Sequence, residues 1–136
     1  MPDNSNFHLS NPTQLHKPTG YSHIVEITGG KMIYIAGQVA LDVQGNIVGK
    51  DDYRAQSQQV FRNLKTALEA AGAGFSNVIK LNYYVVDSVD ASEVFAVREV
   101  RDLYVDTANP PISTLLLIRR LFRPEFLIEI EAVAVV

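Results

Sequence analysis

The 136-residue chain has no cysteine. Disulfides, thiolate zinc sites, iron–sulfur clusters and cysteine nucleophiles are therefore excluded. No run approaches the roughly 18 apolar residues of a membrane span, and Leu115 to Ile118 is followed at once by Arg119 and Arg120. Met1 to Asn6 holds neither a positive segment nor an apolar one. No secretory signal is expected, and the expected compartment is the cytoplasm. Basic residues are not in excess. Twelve Lys and Arg against fifteen Asp and Glu leave a net charge of −3, which gives nucleic acid or an anionic membrane no electrostatic footprint. The glycines are scattered, and none forms a phosphate loop or a dinucleotide fingerprint. His8, His16 and His23 lack metal-ligand spacing, so neither metal nor cofactor is expected and each reads as a surface histidine. A serine-hydrolase elbow is absent.

What is present is a folded domain. Hydrophobic residues make up 47% and charged residues 20%, too apolar a balance for a disordered chain. A chain of this size buries roughly two thirds of its unfolded surface, enough for a core without staples. Residues 1–20, rich in Pro, Asn, Ser and Thr, read as an irregular arm, and 21–136 as a single domain.

Tyr21 to Thr28 and Lys31 to Val39 read as strands joined through Gly29-Gly30, a favourable hairpin turn. Asp51-Asp52 suits a helix start. Behind it Tyr53, Val60, Phe61, Leu64, Ala67, Leu68 and Ala71 make one apolar stripe, ended by Gly72 and Gly74. Val78 to Val86 is apolar on both faces and reads as a central strand. Tyr83 and Tyr84 point to opposite sides of it, one to the core. Asp90 and Glu93 resemble a capping box for a second helix running to about Val105. Asn109-Pro110-Pro111 blocks that helix. Ile112 to Ile118 and Phe126 to Val135 are the last strands, and the apolar C-terminus belongs inside a sheet.

The order β-β-α-β-α-β-β defines an α+β fold, a mixed sheet with two helices on one face. The other face needs cover that one domain cannot supply, and oligomerisation is the physical solution.

Charge is informative at three places. Glu129 and Glu131 share one face of the last strand. An ion pair or edge exposure accounts for them, as does a general base in a cleft. Arg119, Arg120 and Arg123 cluster at a turn. They read as a solvated loop or a subunit salt bridge ahead of a carboxylate or phosphate site. Arg98 and Asp102 have the spacing of an i,i+4 helix pair. Ser113 and Thr114 offer hydroxyls on opposite strand faces, so only one can line a given site.

Several segments together resemble the Rid (YjgF-like) superfamily, also labelled endoribonuclease L-PSP. They are Gly20-Tyr21-Ser22-His23, Ile33 to Gln38, Asn63-Leu64 to Gly72, Val78 to Asp87, and Ile128 to Ala134. The resemblance implies a chorismate-mutase-like fold, a homotrimer with clefts between subunits, and a small-molecule ligand. The family's best-known activity is hydrolysis of imines and enamines derived from amino acids. By the same resemblance Glu129 is the water-handling catalytic residue and Tyr21 a cleft tyrosine. Gly37 and Gln38 keep their pair, and Ala36 stands where serine is common. Arg98 stands where a helix asparagine contributes.

One departure matters chemically. The family's substrate-gripping arginine would stand at Ser113, or at Thr114 if the gap moves. A hydroxyl cannot replace a guanidinium's bidentate, charged grip on a carboxylate. The expectation is a hydrolase of a reactive imine, enamine or related metabolite from an arginine-lacking branch, rather than a standard 2-imino-acid deaminase. Arg98, Arg119 or Arg120 is the candidate replacement cation for an anionic ligand. A non-catalytic binding or regulatory trimer is the alternative, and a ribonuclease or translation inhibitor a minor one.

Overall fold

The structure, a computed structural model, describes residues 6–136. The first five residues of the expected arm lie outside the described residues. Among the described residues, six strands and three α-helices follow in chain order. Strands β1 (Phe7–Ser10), β2 (Ile24–Ile27) and β3 (Met32–Gln38) precede helix α1 (Tyr53–Ala70) and strand β4 (Val78–Val86). Short helices α2 (Ala91–Val94) and α3 (Ala96–Arg101) lead to strands β5 (Ile112–Ile118) and β6 (Ile128–Val135).

The main sheet has the order β3-β6-β4-β5. β6 is antiparallel to both neighbours, and β4 and β5 are parallel. The sheet is therefore mixed, with its helices on one face, as expected. The C-terminal strand sits between two others, which is why it stays apolar to its end.

Alternation sorts the side chains. Ile128, Ile130, Ala132 and Ala134 of β6 join Leu81, Tyr83 and Val85 of β4 in the core beneath Val60, Phe61, Leu64 and Leu68 of α1. Asp52 caps α1, its carboxylate accepting from the Ala55 N–H at 3.0 Å. Gly72, at φ 75°, follows the helix end. None of the helices among the described residues is long and apolar enough to cross a membrane.

Three expectations are corrected. The segment 1–20 is not irregular throughout, because Phe7–Ser10 pairs with β2 in a separate two-stranded sheet. β2 accordingly does not form a hairpin with β3. Beyond Gly30 the chain is captured by the C-terminus: Lys31 N–H donates to the Val136 carbonyl at 2.7 Å, and Val136 N–H returns at 3.0 Å. The second helix is broken at Phe95. The Tyr53 hydroxyl donates to the Val94 carbonyl at 2.8 Å, and Arg98 N–H turns instead to the Phe95 carbonyl at 2.9 Å. At its start Asp90 accepts from the Ser92 N–H and hydroxyl, so Ser92 makes the contacts foreseen for Glu93.

One buried polar side chain was not foreseen. Gln56 is fully buried in α1 and serves three backbone groups. Its amide nitrogen donates to the Gly49 and Glu125 carbonyls, and its oxygen accepts from Leu127 N–H at 2.9 Å. It thereby fastens the loop entering β6 to the helix. Replacing Gln56 by Leu strands those partners in an apolar site. The expected loss is about 2–4 kcal/mol of folding stability, read as a lower midpoint in urea denaturation.

Candidate functional site

The loop before β2 is tied to the start of β5. Ser22 is buried, and its hydroxyl donates to the Pro110 carbonyl at 2.6 Å while its N–H donates to Pro111 at 3.2 Å. A parallel bridge joins Ser22 to Ile112. These bonds hold Tyr21 beside Ser113, the residue following that bridge.

Between them lies a cavity of about 300 Å³, lined by Tyr21, Ser113 and Leu115, by Phe95, Val97, Arg98 and Arg101, and by Tyr83 of β4. Its walls are mainly apolar. Tyr83 is 4% exposed, and its hydroxyl has no hydrogen-bond partner of ordinary geometry. Burial pushes that phenol far above the usual tyrosine range, and the Arg101 charge opposes the shift.

Arg101 is held on two sides. Its Nη1 donates to the Gly20 carbonyl at 2.8 Å, and its Nε and Nη2 donate to Asp102 Oδ1 at 2.9 and 2.7 Å. Gly20 permits this approach: its φ is 79°, and a Cβ there would lie 2.8 Å from Arg101 Nη2. The expected Arg98–Asp102 pair is therefore not formed, because Asp102 is taken by Arg101. Arg98 instead lies over the Phe95 ring, 4.7 Å from its centroid.

Ala36, Gly37 and Glu129 lie on the helix-free face of the sheet. A register shift between Ile35 and Gln38 interrupts the β3–β6 ladder at Ala36 and Gly37. Gly37 sits against Glu129; a Cβ on it would lie 2.5 Å from Glu129 Oε2. Gln38 turns back, its amide donating to the Ala36 carbonyl at 3.1 Å.

Glu129 and Glu131 differ in their surroundings. Glu131 accepts from Tyr84 Oη at 2.7 Å and Asn82 Nδ2 at 3.1 Å. Those donors hold its carboxyl below the ordinary glutamate range. Glu129 has no protein hydrogen bond or ion pair among the described residues. Partial burial, then the charge of Glu131, pushes its carboxyl up. A carboxylate so placed is suited to accept a proton.

The candidates thus divide. Tyr21, Arg98 and Ser113 meet in the cavity. Ala36, Gly37 and Glu129 lie across the sheet, and Gln38, past the register shift, is opposite the core residue Ile130. Thr114 is exposed and opposite Asn82 in register, hence on the side of Glu131. Arg120 joins neither group; it folds back on its own loop, donating to the Leu121 and Phe122 carbonyls. Arg123 lies over Phe126 and 3.7 Å from Glu125. Tyr83, Arg101 and His16, the last 2.5 Å from the Tyr21 hydroxyl through its Nε2, are additions that sequence reasoning missed. Among the described residues no three His, Asp or Glu side chains are grouped to hold a metal ion.

Comparison with known proteins fits this architecture. The endoribonuclease L-PSP family model matches residues 13–136. A RutC family protein of Pyrococcus horikoshii is 35% identical over 119 residues, covering 87% of this chain and 89% of that one. The 2-iminobutanoate/2-iminopropanoate deaminase of Dermatophagoides farinae is 31% identical over 99 residues, 72% of this chain and 73% of that one. The crystal structure of YyfB from Yersinia pestis, a Rid-family protein of unknown function, superposes with a TM-score of 0.83. It is 36% identical and covers 96% of this chain and 99% of that one. The chain belongs to the Rid (YjgF-like, endoribonuclease L-PSP) superfamily and has its chorismate-mutase-like fold.

The two glutamates affect stability in opposite directions. Glu131 is depressed on folding, so its contribution is present above its unfolded pKa and lost as pH falls through the folded value. Glu129 is raised, so its ionisation weakens folding as pH rises from the unfolded to the folded value. Carbon-13 NMR titration of the side-chain carboxyls should show Glu131 titrating at lower pH than Glu129. Tyr84→Phe should move Glu131 upward, toward an ordinary glutamate.

Proposed function

We propose that this protein is a hydrolase of small reactive imines, enamines or related metabolites, working at a cleft completed by a second copy of the chain. A Rid-superfamily role acting on a small molecule has the support of the family match and of the deaminase among the relatives. The observation that carries the finer reading is Glu129. It is a half-buried carboxylate with a raised pKa and no protein partner among the described residues.

The chemistry follows from that state. Glu129 takes a proton from water as the water oxygen bonds to the electrophilic carbon of C=N, and the π electrons pass to nitrogen. Glu129 then returns the proton to nitrogen, giving a carbinolamine. As its C–N bond breaks, Glu129 takes the hydroxyl proton and the nitrogen takes a second proton from a donor across the cleft. Ammonia and a carbonyl product leave, and solvent restores both groups. The cavity of Tyr21, Arg98 and Ser113 binds the remainder of the substrate. Ser113 in place of a strand arginine argues against standard 2-imino-acid deamination, because no guanidinium is presented from that strand position.

Assembly is part of this reading. Glu129 and the Tyr21 cavity lie on opposite sides of one sheet, and one subunit does not bring them together. Apolar side chains are left exposed on the open face of β3 and β5, with Tyr34 76% and Leu116 49% accessible. A homotrimer that covers them also joins Glu129 of one subunit to the cavity of the next.

Ammonia release from imines generated in situ by an amino-acid oxidase tests the chemistry. Glu129→Gln should be slower than the parent by about 100-fold or more, and equal rates would remove Glu129 from the mechanism. Saturable binding of a metabolite without turnover in either protein would replace hydrolysis by ligand binding. Sedimentation velocity should return a trimer, and a stable monomer would overturn the shared cleft.

A further inference from the structure

The loop before β2 holds more than Tyr21. The Tyr21 oxygen lies 2.5 Å from His16 Nε2. The His23 ring meets both edge-on, 4.8 Å from the His16 centroid and 5.5 Å from that of Tyr21. His23 Nε2 lies 2.8 Å from the His16 carbonyl, placed to donate to it. His23 N–H in turn donates to Asn11 Oδ1 at 2.7 Å. His16 is therefore held in place although it is exposed to solvent, and its ring reaches a tyrosine that lines the cavity.

We propose that His16 is the proton partner of Tyr21 and sets whether the Tyr21 phenol meets a ligand in the cavity as donor or acceptor. Only one proton fits between the two atoms. When His16 Nε2 is bare, Tyr21 donates to it and offers the cavity only lone pairs. When His16 Nε2 carries a proton, it donates to the phenol oxygen and the tyrosine O–H turns free toward the ligand. Histidine is the side chain that changes charge near neutral pH. In a transfer step the proton of Tyr21 passes to a substrate nitrogen as the proton of His16 passes to the Tyr21 oxygen. An imidazolium becomes imidazole, and solvent at the exposed ring restores it. The titratable groups around the pair are His23 on the same loop, Arg98 and Arg101 of α3 across the cavity, and Tyr83 of β4.

The hydrogen-bonded pair stands independently of the reaction, whereas its effect on turnover rests on the hydrolase reading. Two measurements separate them. Nitrogen-15 NMR of the imidazoles, with His16 assigned through His16→Gln, reads the pair directly. Tyr21→Phe should displace the His16 Nε2 resonance, and an unchanged resonance would overturn the proposal. In the imine assay, His16→Phe should lower kcat by about 10- to 100-fold, with KM little changed. His16→Gln keeps hydrogen-bonding capacity but carries no titratable proton. It should fail to restore kcat, and full rescue by Gln would reduce His16 to a spacer. A parent without turnover counts against hydrolysis, and the NMR result then decides the pair alone.

Discussion

Strand β6 lies between β3 and β4, so each of its side chains must enter the helix layer or point away from it. That constraint governs the rest of the molecule. Ile128, Ile130, Ala132 and Ala134 fill the helix side, which forces Glu129 and Glu131 onto the open one. A slip of one residue would drive two carboxylates into the core and expose four apolar groups. The register is pinned from both flanks, and Gln56 holds the loop that enters the strand. The open face then treats its two carboxylates differently. Glu131 receives two donors, one of them Tyr84, while Glu129, opposite Tyr84 in register and packed on Gly37, receives none among the described residues. Two glutamates separated by one residue acquire opposite acidities through their neighbours, and only Glu129 is left to take up a proton.

The elements legible in the sequence were those whose signal is local. β4, β5 and α1 have a sustained period and clear stops, and they fall close to where the pattern places them. What the pattern could not supply depends on distant partners. The break at Phe95 follows from Tyr53, 41 positions away in sequence, taking the Val94 carbonyl. The lost hairpin follows from Lys31 pairing with Val136, at the far end of the chain. Gly29-Gly30 is good hairpin chemistry in isolation, but here the two strands it separates belong to different sheets.

The site was legible to the same extent. Strand period correctly separated Ser113 from Thr114, and Tyr83 from Tyr84. It could not reveal that Asp102 serves Arg101 rather than Arg98, since an adjacent pair and an i,i+4 pair compete for one carboxylate. His16 read as a surface residue, and it is exposed. Its significance lies in a loop geometry that returns it to Tyr21, and the four intervening residues carry no periodic signal of that return.

The same competition decides which cation an anionic ligand would meet. Arg101 is the more buried, but three of its donors are committed to Gly20 and Asp102, and Asp102 offsets its charge. Arg98 rests on the Phe95 ring, a contact worth about 0.5–1 kcal/mol at an exposed position. Stacking engages the face of the guanidinium and leaves its edge donors unspent. Arg101 therefore shapes the cavity floor, fixing Gly20 and with it the approach of Tyr21, while Arg98 holds the charge still available to a ligand. Moving that charge from a rigid strand to a short, broken helix changes what can be gripped. On the proposed reading, a strand arginine would fix a carboxylate at one distance from Glu129. An arginine on α3, stacked on Phe95 with its edge donors open, would on that reading accept anionic groups over a wider range of positions and hold each less rigidly. The cavity, read as the proposed binding site, is thereby better suited to a varied set of small anionic compounds than to one amino-acid skeleton.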